Sequence, residues 1–438
     1  MKLPDHIRTC IDRLEDAGLC AYCVGGCVRD WVMGIPPHDY DICTAATPAQ
    51  VRQLFADCQL VLSGEKHGTV TVIIAHEPVE ITTFRTEGDY TDGRHPGWVR
   101  FETDIAQDLS RRDFTVNAMA WSPLRGFADP FGGREDLKAG LLRCVGDPQQ
   151  RFTEDALRIL RGVRFAVRFG LQVESATETA MVSLRHLLSG LARERVMAEL
   201  MGLLPYVKAA DLLRFAPILE QVIPELSPCV GFDQRNPHHI FDVFTHTAHA
   251  VEAIAPDPAL RLAALLHDIG KPATFTADPD GCGHFYGHAE VSAKMADAVL
   301  LRLRASNELR KRVTDLIARH MTPLTDDKQL LHRRLRQYGE GGVRDLLALQ
   351  KADRIATGTY EDLSDCDRIA ALLEELLAEN ACFTLKELAL NGHDLMALGY
   401  EGRQIGLCLN ALLEQVVSGQ LPNERQALLD ALSKGDTP

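Results

Sequence analysis

The chain has 438 residues, is 46% hydrophobic and 25% charged, and carries a formal net charge of −14. That size and composition fit about two to four cored domains and exclude a disordered or fibrous chain. The acidic average also excludes a nucleic-acid partner unless a basic stripe exists locally, because phosphates respond to local potential.

The opening MKLPDHIRTC lacks the apolar stretch of a secretory signal, and no apolar run of about 18 residues follows. A cytoplasmic protein with no membrane partner is therefore expected, and its twelve cysteines are expected to be reduced. Residues 4–18 predict an amphipathic helix, with Ile7, Ile11 and Leu14 at helical spacing. Cys20, Cys23 and Cys27 have spacing that starts a zinc or iron–sulfur site. However, Cys20 and Cys23 sit in the apolar run LCAYCV and no second CxxC follows, so core packing is expected.

AYCVGG predicts a strand ending in a glycine turn, and CVRDWVMG a helix. Gly25 and Gly26 would let backbone approach a phosphate at the helix N-terminus. HDYDICT predicts a strand with Asp39 and Asp41 on one face and Tyr40 and Ile42 on the other. Paired carboxylates there suit Mg2+ ions that bridge triphosphate oxygens. TPAQVRQLFA predicts a helix capped by Thr47, with Pro48 at its first position. GTVTVIIA and PVEITTFR alternate as strands. On the latter, Glu80 points away from Val79 and Ile81, toward either the same metals or solvent. DLSRRDFTVNAMAW predicts a helix with Asp113 and Asn117 one turn apart, and DPFGGREDL a loop entering another helix. Beyond about residue 150 amphipathic helices follow one another, with a domain joint expected near Pro224, Pro228 and Asn236.

The ordered segments GGCVRDWVMGIPPHDYDICT, EITTFR, DGRHP, DLSRRDFTVNAMAW, DPFGGREDL and EDALRILRGVRFAVRFG resemble the bacterial-type (class II) CCA-adding tRNA nucleotidyltransferases. That resemblance implies an α+β fold. A small polymerase-β-like α/β head (1–145) would be followed by a helical neck (146–227), an HD domain (228–360) and a helical tail (361–438). It implies tRNA, CTP and ATP as partners and Mg2+ as cofactor. Asp39 and Asp41 would be metal ligands, with Glu80 a third catalytic candidate. Gly26 and Arg29 would contact nucleotide sugar or phosphate, and Arg112 the triphosphate. Asp113 and Asn117 would position that arginine or the ribose. Arg161 and Arg164 would meet the incoming nucleotide.

Base choice follows from EDALR. On one helix, Asp155 and Arg158 would lie three apart and reach one ligand edge. Cytosine and adenine present an amine beside a ring-nitrogen acceptor, which a carboxylate and a guanidinium match. Uracil and guanine present a carbonyl beside a ring N–H and mismatch both. Arg158, Arg161, Arg164 and Arg168 recur at helical spacing and supply the basic stripe that the net charge denies. Arg168 is either a phosphate contact or part of a solvated face.

The second half carries His246, His267-Asp268, His288, His320 and Asp353 on successive expected helices, in an order that resembles HD phosphohydrolases. They would bind a second divalent metal for phosphate ester hydrolysis. Two rivals remain within the family. A bacterial poly(A) polymerase resembles EDPVR with a GRRF-like segment, where this chain has EDALR and SGEKHGTVTV. An A-adding enzyme shares the segment EGDYTDGRHP, which looks like the flexible loop needed for A addition. A third reading, from a different class, is an HD phosphohydrolase whose head only binds RNA.

Overall fold

A computed structural model describes residues 1–90, 96–359, 362–378, 385–417 and 420–433. It forms two compact units, one of Met1–Val207 with Arg214–Pro224 and the other of Lys208–Leu213 with Glu225–Pro438. The first carries an α/β head and the second is almost entirely helical.

In the first unit, helix α1 (Asp5–Asp16) precedes strands β1 (Ala21–Val24) and β2 (Asp41–Thr44), with α2 (Gly26–Val32) between them. Next come α3 (Pro48–Leu54), β3 (Gln59–Val61), β4 (Thr69–Ile74) and β5 (Glu77–Thr83). A separate hairpin of β6 (Arg85–Tyr90) and β7 (Pro96–Phe101) precedes β8 (Ala120–Ser122) and β9 (Gly126–Ala128). The segment expected to serve A addition, residues 87–96, begins in β6 and ends at the start of β7, and its residues 91–95 lie outside the described residues. The main sheet has the order β3-β4-β5-β2-β1-β8-β9, with β2 and β5 parallel and Ile42 opposite Ile81.

One face of that sheet buries Ile42, Val70, Val79 and Ile81 with Ile7, Ile11 and Leu14 of α1. Cys23 and Cys27 belong to this core, as expected, and the eleven described cysteines are all free thiols. The other face buries Val24, Cys43, Phe84 and Leu109. Thr47 and Gln50 complete a capping box at α3, with Pro48 in its first turn. Gly25 turns β1 into α2 with φ 73° and ψ −125°. A Cβ there would also stand 2.9 Å from Arg112 Nη1, so the turn and the close approach both require glycine.

Three expectations fail locally. Asp39 lies ahead of β2, which begins at Asp41, so only one of the two aspartates is on the strand. DLSRRDFTVNAMAW is not one helix: α4 (Ile105–Ser110) ends, a 3-10 turn spans Thr115–Asn117, and β8 follows. The Asp113 carboxylate accepts the Phe114 N–H at 2.8 Å, and Arg143 O accepts the Thr115 N–H at 2.9 Å. Both amides are thereby taken from a helical ladder. EDALR also breaks. After α5 (Gly133–Ala139), α6 (Pro148–Glu154) stops at Asp155, whose φ is −143°, and α7 (Leu157–Phe169) starts afresh. The Asp155 side chain accepts the Leu157 N–H at 3.0 Å, the behaviour of an aspartate at a helix start. Helices α8 (Ser175–Ser183) and α9 (Arg193–Leu203) follow, and α9 packs on α7. Gly202 allows that approach, since a Cβ there would meet Arg164 Cδ at 2.9 Å.

The second unit contains the helices Val243–Ala253, Pro258–Leu266, His288–Arg302, Asn307–Arg319 and Lys328–Ala356. Asp242, Asp257, Ser306 and Asp327 cap four of them with side-chain oxygens. Gly339, at φ 71°, interrupts the last. The helices Gly392–Ala397, Arg403–Val417 and Arg425–Ser433 close a separate core around Leu390, Leu395 and Leu412. Among the described residues, no helix is long and apolar enough to cross a membrane.

Candidate active sites

The first unit opens a cleft of about 420 Å³ at the C-terminal side of the Gly25 turn. It gathers Gly25, Gly26, Arg29, Asp41, Arg112, Asp113, Asn117, Asp155, Arg158 and Arg161 of the expected residues, together with Arg111 and Arg195. Six arginines and three aspartates line it, so within an acidic chain it offers an anion several guanidinium donors. Asp39, Glu80 and Arg164 do not line it. Asp39 and Glu80 are both exposed. Glu80 precedes Ile81 as Asp41 precedes Ile42, which sets Glu80, in the middle of β5, level with Asp41 at the start of β2, both away from the Ile42–Ile81 core. Arg164 is held by Glu199 of α9 at 2.6 Å.

Each cleft arginine is paired with an acid. Asp108, fully buried, takes Arg112 Nη2 at 3.1 Å and Arg111 Nη2 at 2.8 Å. Burial works against the Asp108 carboxylate, but the two guanidinium charges hold its pKa below the usual range. Arg29 is buried, donates to Asn117 Oδ1 at 2.7 Å and to Asp30 at 2.6 Å, and stacks on Phe169 at 4.3 Å. Asp113 receives Arg161 at 2.7 Å and Asn117 Nδ2 at 3.1 Å. Burial would raise its pKa, and the Arg161 charge with these hydrogen bonds brings it to about 2. Asp113 and Asn117 therefore hold Arg161 and Arg29. The expected service to Arg112 falls to Asp108 instead. Asp41 behaves oppositely: although its side chain meets solvent, partial desolvation by the cleft and the like charge of Asp39 raise its carboxyl pKa, against the pull of Arg112. Such a carboxylate pair accepts a hard divalent cation with oxygen ligands, which relieves that repulsion.

At the far end, Arg158 Nη1 donates to Glu154 Oε2 at 2.7 Å and Nη2 to Arg111 O at 2.9 Å. Arg195 Nη2 donates to Asp155 Oδ2 at 2.8 Å. Asp155 and Arg158 share the cleft from either side of a helix break rather than from one helix face. Arg168 is exposed and lies over Phe169 and Tyr206. Sequence reasoning missed Asp108, Arg111, Glu154 and Arg195. The spacing in DLSRR, three and four residues from Asp108, was a usable signal. Arg195, forty residues beyond Asp155, had none.

In the second unit His246, His267, Asp268, His288, His320 and Asp353 all converge. They form two groups that share Asp268: His246, His267, Asp268 and Asp353 in one, Asp268, His288 and His320 in the other. His246 Nε2 is 2.9 Å from Asp353 Oδ1, His267 Nε2 3.2 Å from Asp268 Oδ2, and His288 Nε2 3.1 Å from His320 Nε2. His267, His288 and His320 each turn Nδ1 to the carbonyl three residues earlier, at 2.7 to 2.8 Å. An Nδ1–H donated there leaves the Nε2 lone pair facing the cluster, the arrangement of a metal ligand. Both Asp268 oxygens are buried, with Lys271 Nζ 2.7 Å and His267 Nε2 3.2 Å from Oδ2. Burial lowers the pKa of His288, and that of His320 to about 4, so both are neutral at pH 7. This imidazole and carboxylate set fits first-row divalent metals. A cleft of about 480 Å³ reaches it past Lys271, Tyr286 and His239, the last a neighbour of His246 that sequence spacing did not mark.

Family models match three stretches of the chain. They are "Poly A polymerase head domain" over residues 21–143, "Probable RNA and SrmB- binding site of polymerase A" over 170–229, and tRNA nucleotidyltransferase domain 2 over 284–432. The chain is 34% identical over 436 residues to a CCA-adding enzyme of Lactiplantibacillus plantarum, covering 96% of this chain and 93% of the relative. It is 32% identical to that of Streptococcus mutans, covering 97% and 95%. A crystal structure of the Bacillus stearothermophilus CCA-adding enzyme in complex with CTP superposes with a TM-score of 0.73 at 27% identity, covering 100% of this chain and 98% of that one. The Thermotoga maritima enzyme complexed with tRNA shares the fold, with a TM-score of 0.58 at 20% identity, covering 99% and 96%.

Proposed function

This chain belongs to the bacterial-type CCA-adding tRNA nucleotidyltransferases, and on that premise we propose that its arginine-lined cleft adds CMP and AMP to the tRNA 3′ end without a nucleic-acid template. The observation that carries this reading is the union, in one cleft, of Asp41, the Asp155–Arg158 pair and five further arginines. Asp39 and Asp41, with Glu80 from the neighbouring strand β5, would hold Mg2+. A divalent ion bound there supplies the Lewis acid that activates the tRNA 3′-hydroxyl and offsets charge on the departing pyrophosphate. Arg112 and Arg161, already oriented by Asp108 and Asp113, neutralise the triphosphate. Gly25 and Gly26 let backbone approach it. Arg29 meets the sugar or phosphate, with Asn117 fixing its orientation. Asp155 accepts the base amine while Arg158 donates to the ring nitrogen, which admits cytosine and adenine and rejects uracil and guanine. Arg164, tied to Glu199, supports this helix from outside the cleft.

The four-part division at about residues 145, 227 and 360 is part of the same reading, with the tail facing the tRNA body. A second activity is favoured by the convergence of four imidazoles and two aspartates on paired sites sharing Asp268. We propose divalent-metal-dependent hydrolysis of a phosphate ester there, with Lys271, 2.7 Å from Asp268, as a nearby cation for the phosphate. The decisive experiment supplies tRNA lacking its last three nucleotides, and in parallel tRNA ending in CC, with each triphosphate separately and together. Full CCA on mixing CTP and ATP supports the reading. Addition of A alone to tRNA ending in CC, or untemplated poly(A), replaces it with one of the two rivals.

A further inference from the structure

Two opposite charges that read one base edge face a problem of their own: Asp155 and Arg158 attract each other. If they closed into an ion pair, neither would present itself to a nucleotide. Each is held off by an outer partner. Glu154 takes Arg158 at 2.7 Å, and Arg195 takes Asp155 at 2.8 Å. Glu154 comes from the adjoining helix turn, whereas Arg195 comes from α9 and reaches the cleft across the helix packing. Its place is unfavourable for α9 itself, because a cation in the first turn opposes the helix dipole. Helix stability therefore does not explain an arginine at this position, and the Asp155 carboxylate does. With Leu157 N–H on Oδ1 and Arg195 on Oδ2, the carboxylate is fixed at both oxygens, and each keeps a lone pair for a further donor.

The geometry points to Arg195 as a positioning residue for base choice: it keeps Asp155 turned to the nucleotide edge and away from Arg158. This rests on the base-reading role of Asp155 and Arg158 proposed above. The test compares kcat/KM for CTP and UTP on tRNA lacking its last three nucleotides, in Arg195→Met, which retains the side-chain stem, and Arg195→Lys, which restores a cation without the planar fork. R195M is expected to lower the CTP-to-UTP ratio roughly tenfold, as a displaced charge-assisted acceptor does, with R195K in between. In an Asp155→Ala background, R195M is expected to change the ratio no further, because its effect passes through that carboxylate. An unchanged ratio in whichever variant folds, an equal fall for both nucleotides, or additive effects in the double variant would overturn the assignment. If D155A shifts the ratio and R195M does not, only the role of Arg195 fails. If D155A leaves it unchanged, the base-reading pair fails and Arg195 with it.

Discussion

The cleft of the first unit and the histidine cluster of the second both suit phosphate chemistry, and they are pre-organised by opposite means. In the cleft, orientation comes from charge: Asp108, Asp113, Glu154 and Asp30 each hold an arginine that a ligand must share. In the cluster, orientation comes from neutral backbone: carbonyls of Ala264, Phe285 and Ile317 fix the imidazoles, and the carboxylates are left for a cation. The first arrangement keeps oxygen ligands near solvent, where a hard, well-hydrated ion such as Mg2+ keeps several waters. The second buries nitrogen ligands, which select softer divalent ions.

Substituting Asp41 tests the separation most severely. Asp41→Ala should lower nucleotide addition by at least about a hundredfold, since it removes a metal ligand. Folding should survive, because a like-charge contact with Asp39 disappears. Addition assayed beside metal content of the second unit checks this, and a parallel loss of both would merge the two sites into one. Asp268→Ala should act in the reverse direction. Asp268 is common to both ligand groups, so hydrolysis and bound transition metal should fall together while CCA addition stays within about twofold. His320→Ala removes a ligand of one group only, and metal analysis should show partial rather than total loss.

Asp155→Ala sharpens the contrast within the cleft. A charge-assisted hydrogen bond is worth about 1.5–3 kcal/mol, so CTP and ATP use should each fall roughly ten- to two-hundredfold. UTP should gain relative to CTP in single-nucleotide assays. The smallest effect expected is on stability. Arg161→Met leaves Asp113 buried without its main counter-charge and should cost about 1–3 kcal/mol at pH 7, discounted because Arg161 is partly exposed. The sign follows from linkage. In the wild type the Asp113 pKa is depressed to about 2, so its contribution is present above the unfolded value and is lost as pH falls toward 2. In the variant burial raises that pKa, so protonation relieves the cost. Denaturation at pH 7 and pH 4 should find the smaller difference between wild type and variant at pH 4.

Much of this was legible in residue order. The glycine turn at Gly25, the capping box at Thr47 and the β-strand alternation around Val79 and Ile81 are local patterns, and local chemistry produced them. The histidine set was legible because each ligand sits at or near a helix end in fixed order. The failures share a cause. At Asp113 and Asp155 the side chain takes a backbone N–H that a helix would have used, and helical periodicity does not register that competition. The outer partners Asp108 and Arg195 matter through contacts across the fold, and for Arg195 no spacing in the sequence pointed there.

The Gly25 turn has one more consequence, and it concerns handedness. Its φ of 73° and ψ of −125° are the mirror image of about −73° and 125°, an ordinary extended conformation for an L-residue. A D-residue would therefore adopt this backbone without strain, and its methyl would occupy the other hydrogen's direction, not the one that meets Arg112 at 2.9 Å. Ribosomal synthesis offers only L-residues beside glycine, so for every genetically encoded substitution the chiral barrier and the spatial one coincide. D-alanine introduced by semisynthesis would separate them.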